Sequence, residues 1–524
     1  GGMPGDGGKG SGGRGGAGGV GSGGGATDAG RAGARAGGST GRGGSGQADS
    51  GGQAGGGGQA GSGGQAGGGG RGGGAGGGDT GNGGSTASGS CAFTQSSKVS
   101  DKIKTVGIVT WSTNLEGLES AKIDFGLDSN YGMTAPVENP VSGENTTLLL
   151  GMKPTVSSSS PRVYHYRITA TGSSGECVSP DYTIQTGALL NGLPKITVSN
   201  KSTSSPVYGG FLITGQFVQM ASGSGSPAYI VDKDGEMVWA VVGTRDVTGV
   251  RMSYDGKSVW INCVNVATSG SGNTACVHRV SMDGQKDEDL SSKFTGLNHQ
   301  LTVLPDETVA FYAYASNGCD DIKEYDPSTG KVKTVVNSGK ATNSSVCHCN
   351  FIQYSKDDDT LVFSELDSQT IVKVKRSDGS VVWRLNGGSP TISGVSWKGG
   401  NHGIHLLGLD DLLVFNNNSR MSMGGGGSAG GDASGSIALE IKLNLSAKTA
   451  SQPWSYKANP GIQVDIMGDL QRMPNGNTII AYSTKGVLHE VDKNGTLLQE
   501  WTWPSGSSFG YIEKRATLYG PPPK

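Results

Sequence analysis

This sequence of 524 residues is poor in several things, and each shortage excludes a class of protein. No apolar run approaches the roughly 18 residues that a membrane-spanning helix needs, so no transmembrane segment is expected. No charge sign dominates: 42 Lys and Arg face 44 Asp and Glu, for a net charge of −2, which leaves no basic field for nucleic acid. Residues 1–90 almost lack Leu, Ile, Phe and Trp while holding 47 of the 96 glycines, so they cannot bury a core. Pro4 is the only proline there and strict Gly-X-Y phase is lost, which disfavours collagen. The numbering opens inside this tract without a signal peptide, and a processed or trimmed N-terminus is expected. Histidine is scarce, at seven residues, so any pattern among the histidines carries weight.

The glycine-rich tract is repetitive. Residues 51–74 read GGQAGG, GGQAGS, GGQAGG, GGRGGG, four copies of a six-residue unit. One reading is a flexible spacer. The other is an assembly segment, because a period of three suits polyproline-II-type helices that pack side by side and bond through their backbones.

The seven cysteines point to an oxidising compartment: secreted, periplasmic or cell-surface. Cys91 and Cys177 bracket one candidate domain, and Cys263 and Cys276 flank a predicted hairpin; both pairs are plausible disulfides. Cys319, Cys347 and Cys349 remain, and the odd total leaves at least one thiol unpaired in a monomer.

Residues 91–187 change character. TVGIVTWST, SAKIDFGL, TTLLLGM, VYHYRITA and DYTIQTG are short β-branched or aromatic runs separated by turn-rich segments, the pattern of a sandwich of about seven strands. Alternation in VYHYRI puts Tyr164 and Tyr166 on one face and His165 on the other, as a surface residue. LLGMKP followed by VYHYRI gives this unit a resemblance to fibronectin type III domains.

Residues 195–520 repeat. Polar turns at VDKDGEMVW, VSMDGQKD, YDPSTGKVKTVV, KRSDGSVVW, LNLSAKTA and VDKNGTLLQEW begin 49, 45, 50, 68 and 48 residues apart, the long interval holding the insertion 422–436. Periods of 40–50 residues with strand–turn–strand signals predict a β-propeller, here of six blades, in an all-β chain with little helix. Before each turn runs a predicted inner strand closed by an aromatic cluster. His299 lies 12 residues before Phe311, His348 15 before Phe363, His402 13 before Phe415, and Asp469 13 before Tyr482. Equivalent places on inner strands face one axis, so three histidines are expected to converge in one pocket. His405, three residues after His402, faces away and is read as supporting or packed between blades; His278 and His489 are read as ordinary strand histidines. Three imidazoles could hold zinc with one open position. Yet there is no HExxH, no acidic residue adjoins these histidines, and in the CHC of 347–349 both cysteines face opposite His348; no metal site is expected.

The stretches NHQLTVLPDETVAFY, CHCNFIQYSKDDDTLVFSELDSQ, GGNHGIHLLGLDDLLVFNNN and GDLQRMPNGNTIIAYSTKG resemble successive blades of the arylsulfotransferase family. The resemblance implies a secreted six-bladed propeller that moves a sulfuryl group between phenols without a nucleotide cofactor, through a transiently sulfated histidine. It maps the nucleophile onto His402, and the groups that bind sulfuryl oxygens and protonate the leaving phenolate onto His299, His348 and Asn350. The family carries an arginine in a Ser-x-Arg context where this chain reads FSELDSQ, with Leu366 in its place and Glu365 and Asp367 beside it. Arg472 or Arg515 could substitute as a substrate-binding cation. The expected partners are phenolic small molecules or aryl sulfates. The alternative expectation is a non-enzymatic subunit of an extracellular filament or coat, self-assembled through residues 1–90 and decorated by the propeller.

Overall fold

Tight polar turns between β-branched runs leave the backbone one economical solution, antiparallel hairpins. The recurring turn shows why. Asp232 Oδ1 accepts the N–H of Asp234 and of Glu236, both at 2.9 Å, and Asp492 Oδ1 accepts from Asn494 and Thr496, both at 2.9 Å. Gly235 and Gly495 supply the positive φ, 86° and 82°, that closes each loop.

The computed structural model describes residues 91–156, 160–217, 225–243, 246–264, 276–315, 318–345, 347–419 and 434–522. The glycine-rich tract of residues 1–90, with its spacer and assembly readings, and most of the insertion at 422–436 lie outside the described residues. All described residues belong to one compact unit, Gly84–Lys524. It is all-β; among the described residues the α-helix is a single short segment, α1 (Ser338–Thr342).

The first eight strands are β1 (Phe93–Val99), β2 (Gly107–Thr113), β3 (Leu118–Gly126), β4 (Met133–Val137), β5 (Asn145–Leu149), β6 (Val163–Gly172), β7 (Gly175–Val178) and β8 (Tyr182–Gln185). They form two antiparallel sheets, ordered β1-β2-β5 and β4-β3-β6-β7, with β8 also on β6. Trp111, Ile123, Phe125, Tyr164 and Tyr166 pack in their core. His165 faces the other way and meets Asp181 at 2.7 Å. Cys91 and Cys177 are joined.

After β9 (Thr197–Asn200), six sheets follow one another. The first contains β10 (Phe211–Gly215), β11 (Pro227–Val231) and β12 (Met237–Val242), and the second β13 (Asp246–Met252), β14 (Ser258–Val264), β15 (Cys276–Ser281) and β16 (Asp287–Asp289). The third runs β17 (Leu297–Val303), β18 (Val309–Tyr314), β19 (Asp320–Asp326) and β20 (Lys331–Asn337). The fourth runs β21 (Cys349–Ser355), β22 (Thr360–Glu365), β23 (Thr370–Lys375) and β24 (Val381–Leu385). The fifth is β25 (Asn401–Leu406), β26 (Asp411–Asn416), β27 (Ile437–Asn444) and β28 (Thr449–Lys457). The sixth is β29 (Asp469–Arg472), β30 (Thr478–Tyr482), β31 (Val487–Val491) and β32 (Leu497–Thr502), extended by β9 on its outer edge. The last strand, β33 (Glu513–Arg515), pairs with β10 and completes the first sheet, so that sheet joins strands three hundred residues apart. Strands β13, β17, β21, β25 and β29 touch in sequence order, the packing of a β-propeller.

One expectation is corrected here. The aromatic runs VAFYAY, TLVFSE, DLLVFN and TIIAY are the second strands of their sheets, β18, β22, β26 and β30, not the inner ones. A second strand has a partner on each side and neighbouring sheets above and below, so it buries nearly every side chain and reads as the most apolar. His299 and His402 lie near the start of the strand before it, and His348 lies just ahead of that strand.

The sandwich is locked to the first two of these sheets. Ile103, Val106 and Leu150 share a cluster with Ile230, Trp239 and Val250. Lys153 reaches Asp232, Asp234 and Glu236 at 3.0, 2.8 and 2.8 Å, and Arg162 grips Glu236 with both terminal nitrogens. The Tyr519 hydroxyl donates to Leu148 O at 2.9 Å and accepts from Leu150 N–H at 2.7 Å.

Candidate functional site: a histidine cluster on the propeller's inner strands

The inner strands break register at matching places. The irregularity falls between Val247 and Gly249 on β13, between Leu297 and Leu301 on β17, between Cys349 and Phe351 on β21, and between Asn401 and Ile404 on β25. A bulge adds a residue to one strand and re-aims a side chain, a device common beside active sites. The residues carried there include Thr248, His299, Asn350 and His402. His299 stands at φ 49°, a left-handed conformation that a histidine adopts at a cost of about 1–3 kcal/mol.

Two of these bulges and the segment just ahead of β21 gather the three histidines. His299 Nε2 and His348 Nε2 are 2.9 Å apart, with ring centroids at 5.0 Å. The His402 ring centroid is 5.8 Å from that of His299. The equivalence by count is refined: Asn350 lies 13 residues before Phe363, as His402 lies 13 before Phe415, and it is Asn350 that occupies the bulge. His348 approaches from the segment just ahead of β21, which accounts for its longer count.

His402 is 1% exposed, and one of its nitrogens is assigned by its surroundings. Asn417 Nδ2 donates to Val464 O at 3.0 Å and to Met467 O at 2.8 Å, so the amide oxygen is the atom that faces His402. That oxygen lies 2.6 Å from His402 Nδ1 and must accept a proton from it. Nε2 is therefore the unprotonated nitrogen. Burial, opposed by the Asn417 bond and reinforced by His348, lowers the His402 pKa to about 3, so the ring is neutral across the physiological range. Burial also holds His299 well below the ordinary histidine range, with His348 and His402 adding to it, and lowers His348 against an opposing pull from Asp367. With both neutral, the 2.9 Å contact is one N–H donated to one lone pair. His299 Nδ1 is buried without a partner.

Other expected residues are placed as follows. Asn350 is fully buried; its Nδ2 donates to Asn401 O at 2.6 Å, its backbone oxygen accepts from the Tyr511 hydroxyl at 2.7 Å, and its Oδ1 has no partner. Arg472 is committed elsewhere. Its Nη2 meets Glu440 at 2.5 Å, its Nε donates to Thr478 at 2.9 Å, and its guanidinium lies 5.6 Å from the Trp454 ring centroid. None of these partners belongs to the cluster. Arg515, on β33, donates to Gly520 O and faces Glu513 at 3.6 Å, again with partners outside the cluster. Asp469 serves a different purpose from the histidines: it faces Arg251 at 3.6 Å and accepts the N–H of Leu470 and Ile512 at 2.9 and 3.0 Å, and burial pushes it up to about 6. His405 Nδ1 accepts the Arg472 N–H at 2.7 Å and packs between the fifth and sixth sheets. His278 meets Asp287 at 2.7 Å, and His489 lies between Tyr456 and Glu500 at 3.0 and 3.2 Å.

Leu366 is 4% exposed and fills the space over Gly400, where a Cβ would come within 2.2 Å of its Cδ1. Asn417 is the residue sequence reasoning missed. The run NNN at 416–418 offered three candidates, and only the fold says which one reaches the histidine.

The three remaining cysteines resolve into one disulfide, Cys319–Cys347, and a buried thiol, Cys349; Cys263 and Cys276 also pair. The Cys319–Cys347 link closes a loop of 28 residues that ends beside His348. Chain-entropy arguments give such a link about 3–4 kcal/mol. Cys319→Ala is expected to lower the urea unfolding free energy by that order, measured by tryptophan fluorescence. An unchanged midpoint would contradict the role.

Among the described residues no group of three or more His, Cys, Asp or Glu is placed to hold a metal ion, and no helix is long and apolar enough to cross a membrane.

Residues 333–508 match the family model described as Arylsulfotransferase (ASST). The match includes His348, Asn350, Leu366 and His402, leaves out His299, and supports a sulfotransferase-like function. No curated protein matches the sequence. Among solved structures, TolB from Acinetobacter baumannii aligns at 13% identity and a TM-score of 0.39, covering 69% of this chain and 81% of that one. The β-propeller domain of Cps50 (Swd1) from Myceliophteria thermophila aligns at 11% identity and a TM-score of 0.36, over 59% and 90%. The nidogen/laminin complex aligns at 10% identity and a TM-score of 0.36, over 58% and 97%.

Proposed function

We propose that the chain is a six-bladed arylsulfotransferase-like propeller with a fibronectin type III-like domain, and that it transfers a sulfuryl group between phenols through His402. One observation carries this: a buried imidazole whose Nδ1–H is committed to Asn417 and whose Nε2 is bare, next to a histidine pair that shares one proton. Nε2 attacks the sulfur of an aryl sulfate, the N–S bond forms, and the S–O bond to the phenolate breaks. The bound anionic sulfate draws one further proton onto the His299–His348 pair, and the departing phenolate takes that proton and leaves the pair neutral. An acceptor phenol then returns a proton to that pair as its oxygen attacks sulfur and the S–N bond breaks. A covalent intermediate splits the transfer into two easier steps and gives ping-pong kinetics. The three disulfides fit an extracytoplasmic site of action. Parallel double-reciprocal plots for 4-nitrophenyl sulfate against a phenol acceptor support the reading; no phenolate release, with an active arylsulfotransferase positive alongside, overturns it.

Leu366 favours a second reading, a propeller that binds phenolic ligands with little turnover, because no guanidinium stands where the family has one. Leu366→Arg separates the two. A positioned donor to the sulfuryl oxygens is worth about 10²–10³ in rate in comparable sites, so a gain of roughly tenfold to hundredfold in phenolate release is expected if the transfer machinery is otherwise intact. No gain in a folded variant favours the binding reading.

A further inference from the structure

Two buried carboxylates lie behind the cluster and hold the backbone that carries His348. Glu365, the last residue of β22 and fully buried, accepts the His348 N–H on Oε1. The same carboxylate accepts the Asp367 N–H at 3.1 Å and the Ser368 N–H at 2.5 Å, the latter on Oε2. Asp320, the first residue of β19 and equally buried, accepts the Cys349 N–H at 2.8 Å. Consecutive peptide groups are thus held by carboxylates from two neighbouring sheets. On the N-terminal side Cys347 is tied to Cys319, the residue before Asp320, and His348 O accepts the Leu366 N–H at 2.9 Å.

We infer that Glu365, backed by Asp320, is a positioning residue for His348: its carboxylate seats the imidazole against His299, and proton uptake by that carboxylate releases it. The inference rests on His348 being the proton partner in sulfuryl transfer. Three N–H groups converge on the two Glu365 oxygens. A carboxylate satisfies all of them, whereas a proton on either oxygen faces an N–H and costs one bond.

The groups facing Glu365 are the Cys349 thiol and His348 from the β21 side and Asp367 from its own loop, while Asp320 of β19 meets Cys349. Burial, opposed by the hydrogen bonds from Ser368 and His348 and helped least by Asp367, pushes Glu365 up to about 7, and burial pushes Asp320 up to about 6. The protonated form of a raised carboxyl prevails below its pKa. His348 is therefore seated above about pH 7 and released as the pH falls through it. His402, which takes its own proton near 3, cannot produce that step, and His348 is itself lowered from the usual histidine value.

The test measures two things on the intact chain between pH 5.5 and 8.5. One is kcat for phenolate release. The other is the rate of carbethoxylation of His348 by diethyl pyrocarbonate, read by peptide mass spectrometry relative to His165 on the sandwich. In the wild type, kcat is expected to drop about tenfold per pH unit below 7, while the His348/His165 ratio rises several-fold as Nε2 comes free. Glu365→Gln is expected to lower kcat with little change in KM and to flatten both profiles; Asp320→Asn is expected to shift the inflection without removing it. A Gln variant that keeps the wild-type inflection overturns the inference, as does a flat His348/His165 ratio in the wild type. A ratio that moves as expected in a protein without transferase activity leaves the positioning role standing and removes the transfer reading.

Discussion

Replacing His402 with alanine is expected to lower phenolate release from an aryl sulfate by roughly 10⁴-fold or more, the order seen when a covalent nucleophile is removed from a machinery that acts as a unit. The ring's neutral form is the reactive one, and burial secures it down to about pH 3, so in the wild type His402 itself adds no pH dependence between 5 and 9. His299 and His348 remain in place, so ligand binding should survive. An unchanged KM or Kd for the phenol beside a collapsed kcat separates loss of the nucleophile from loss of the pocket. His348→Ala, measured alongside, should act differently. Donors with good leaving groups should suffer little and poor ones much more, because the proton is needed only where the phenolate leaves reluctantly.

The second large effect is expected at Asn417, a residue that touches no reacting atom. Its oxygen holds the proton on His402 Nδ1, and its nitrogen is fixed by Val464 O and Met467 O. Alanine there frees the imidazole to change tautomer and to turn. A partner that orients a reactive histidine typically matters by 10–100-fold, and a loss of roughly 10²-fold in the first-turnover rate is expected for Asn417→Ala, with KM nearly constant. Two buried carbonyls also lose a donor, which should cost about 1–3 kcal/mol of stability in a denaturant titration. A variant that is destabilised yet reacts at the wild-type first-turnover rate would show that Asn417 serves the fold alone.

The repeat was legible because each hairpin needs the same turn chemistry: Asp232 and Asp492 make the same side-chain bonds 260 residues apart, and the sequence shows both as Asp, two residues, Gly. The histidines were legible because three scarce residues kept step with the aromatic strands. Which strand lies innermost was not, since the most apolar run marks the strand with most neighbours rather than the one nearest the axis. Nor was the pairing of β33 with β10, a contact between residues three hundred apart that no local signal announces. The partner of Arg472 was not legible either: its charge was visible, but Glu440 sits on another strand of the adjoining sheet. Glu365 adjoins the position of the missing arginine in sequence, which says nothing of what its side chain meets. Its carboxylate is in fact occupied by backbone N–H groups.

In the proposed transfer His402 Nε2 becomes covalently sulfated. The most direct measurement is intact-protein and peptide mass spectrometry after brief exposure to 4-nitrophenyl sulfate, with and without a phenol acceptor. A sulfuryl adduct on the peptide bearing His402, present with donor alone and discharged by the phenol, is the expected result. Phenolate release in the absence of any such adduct, or an adduct confined to another residue, would contradict the account.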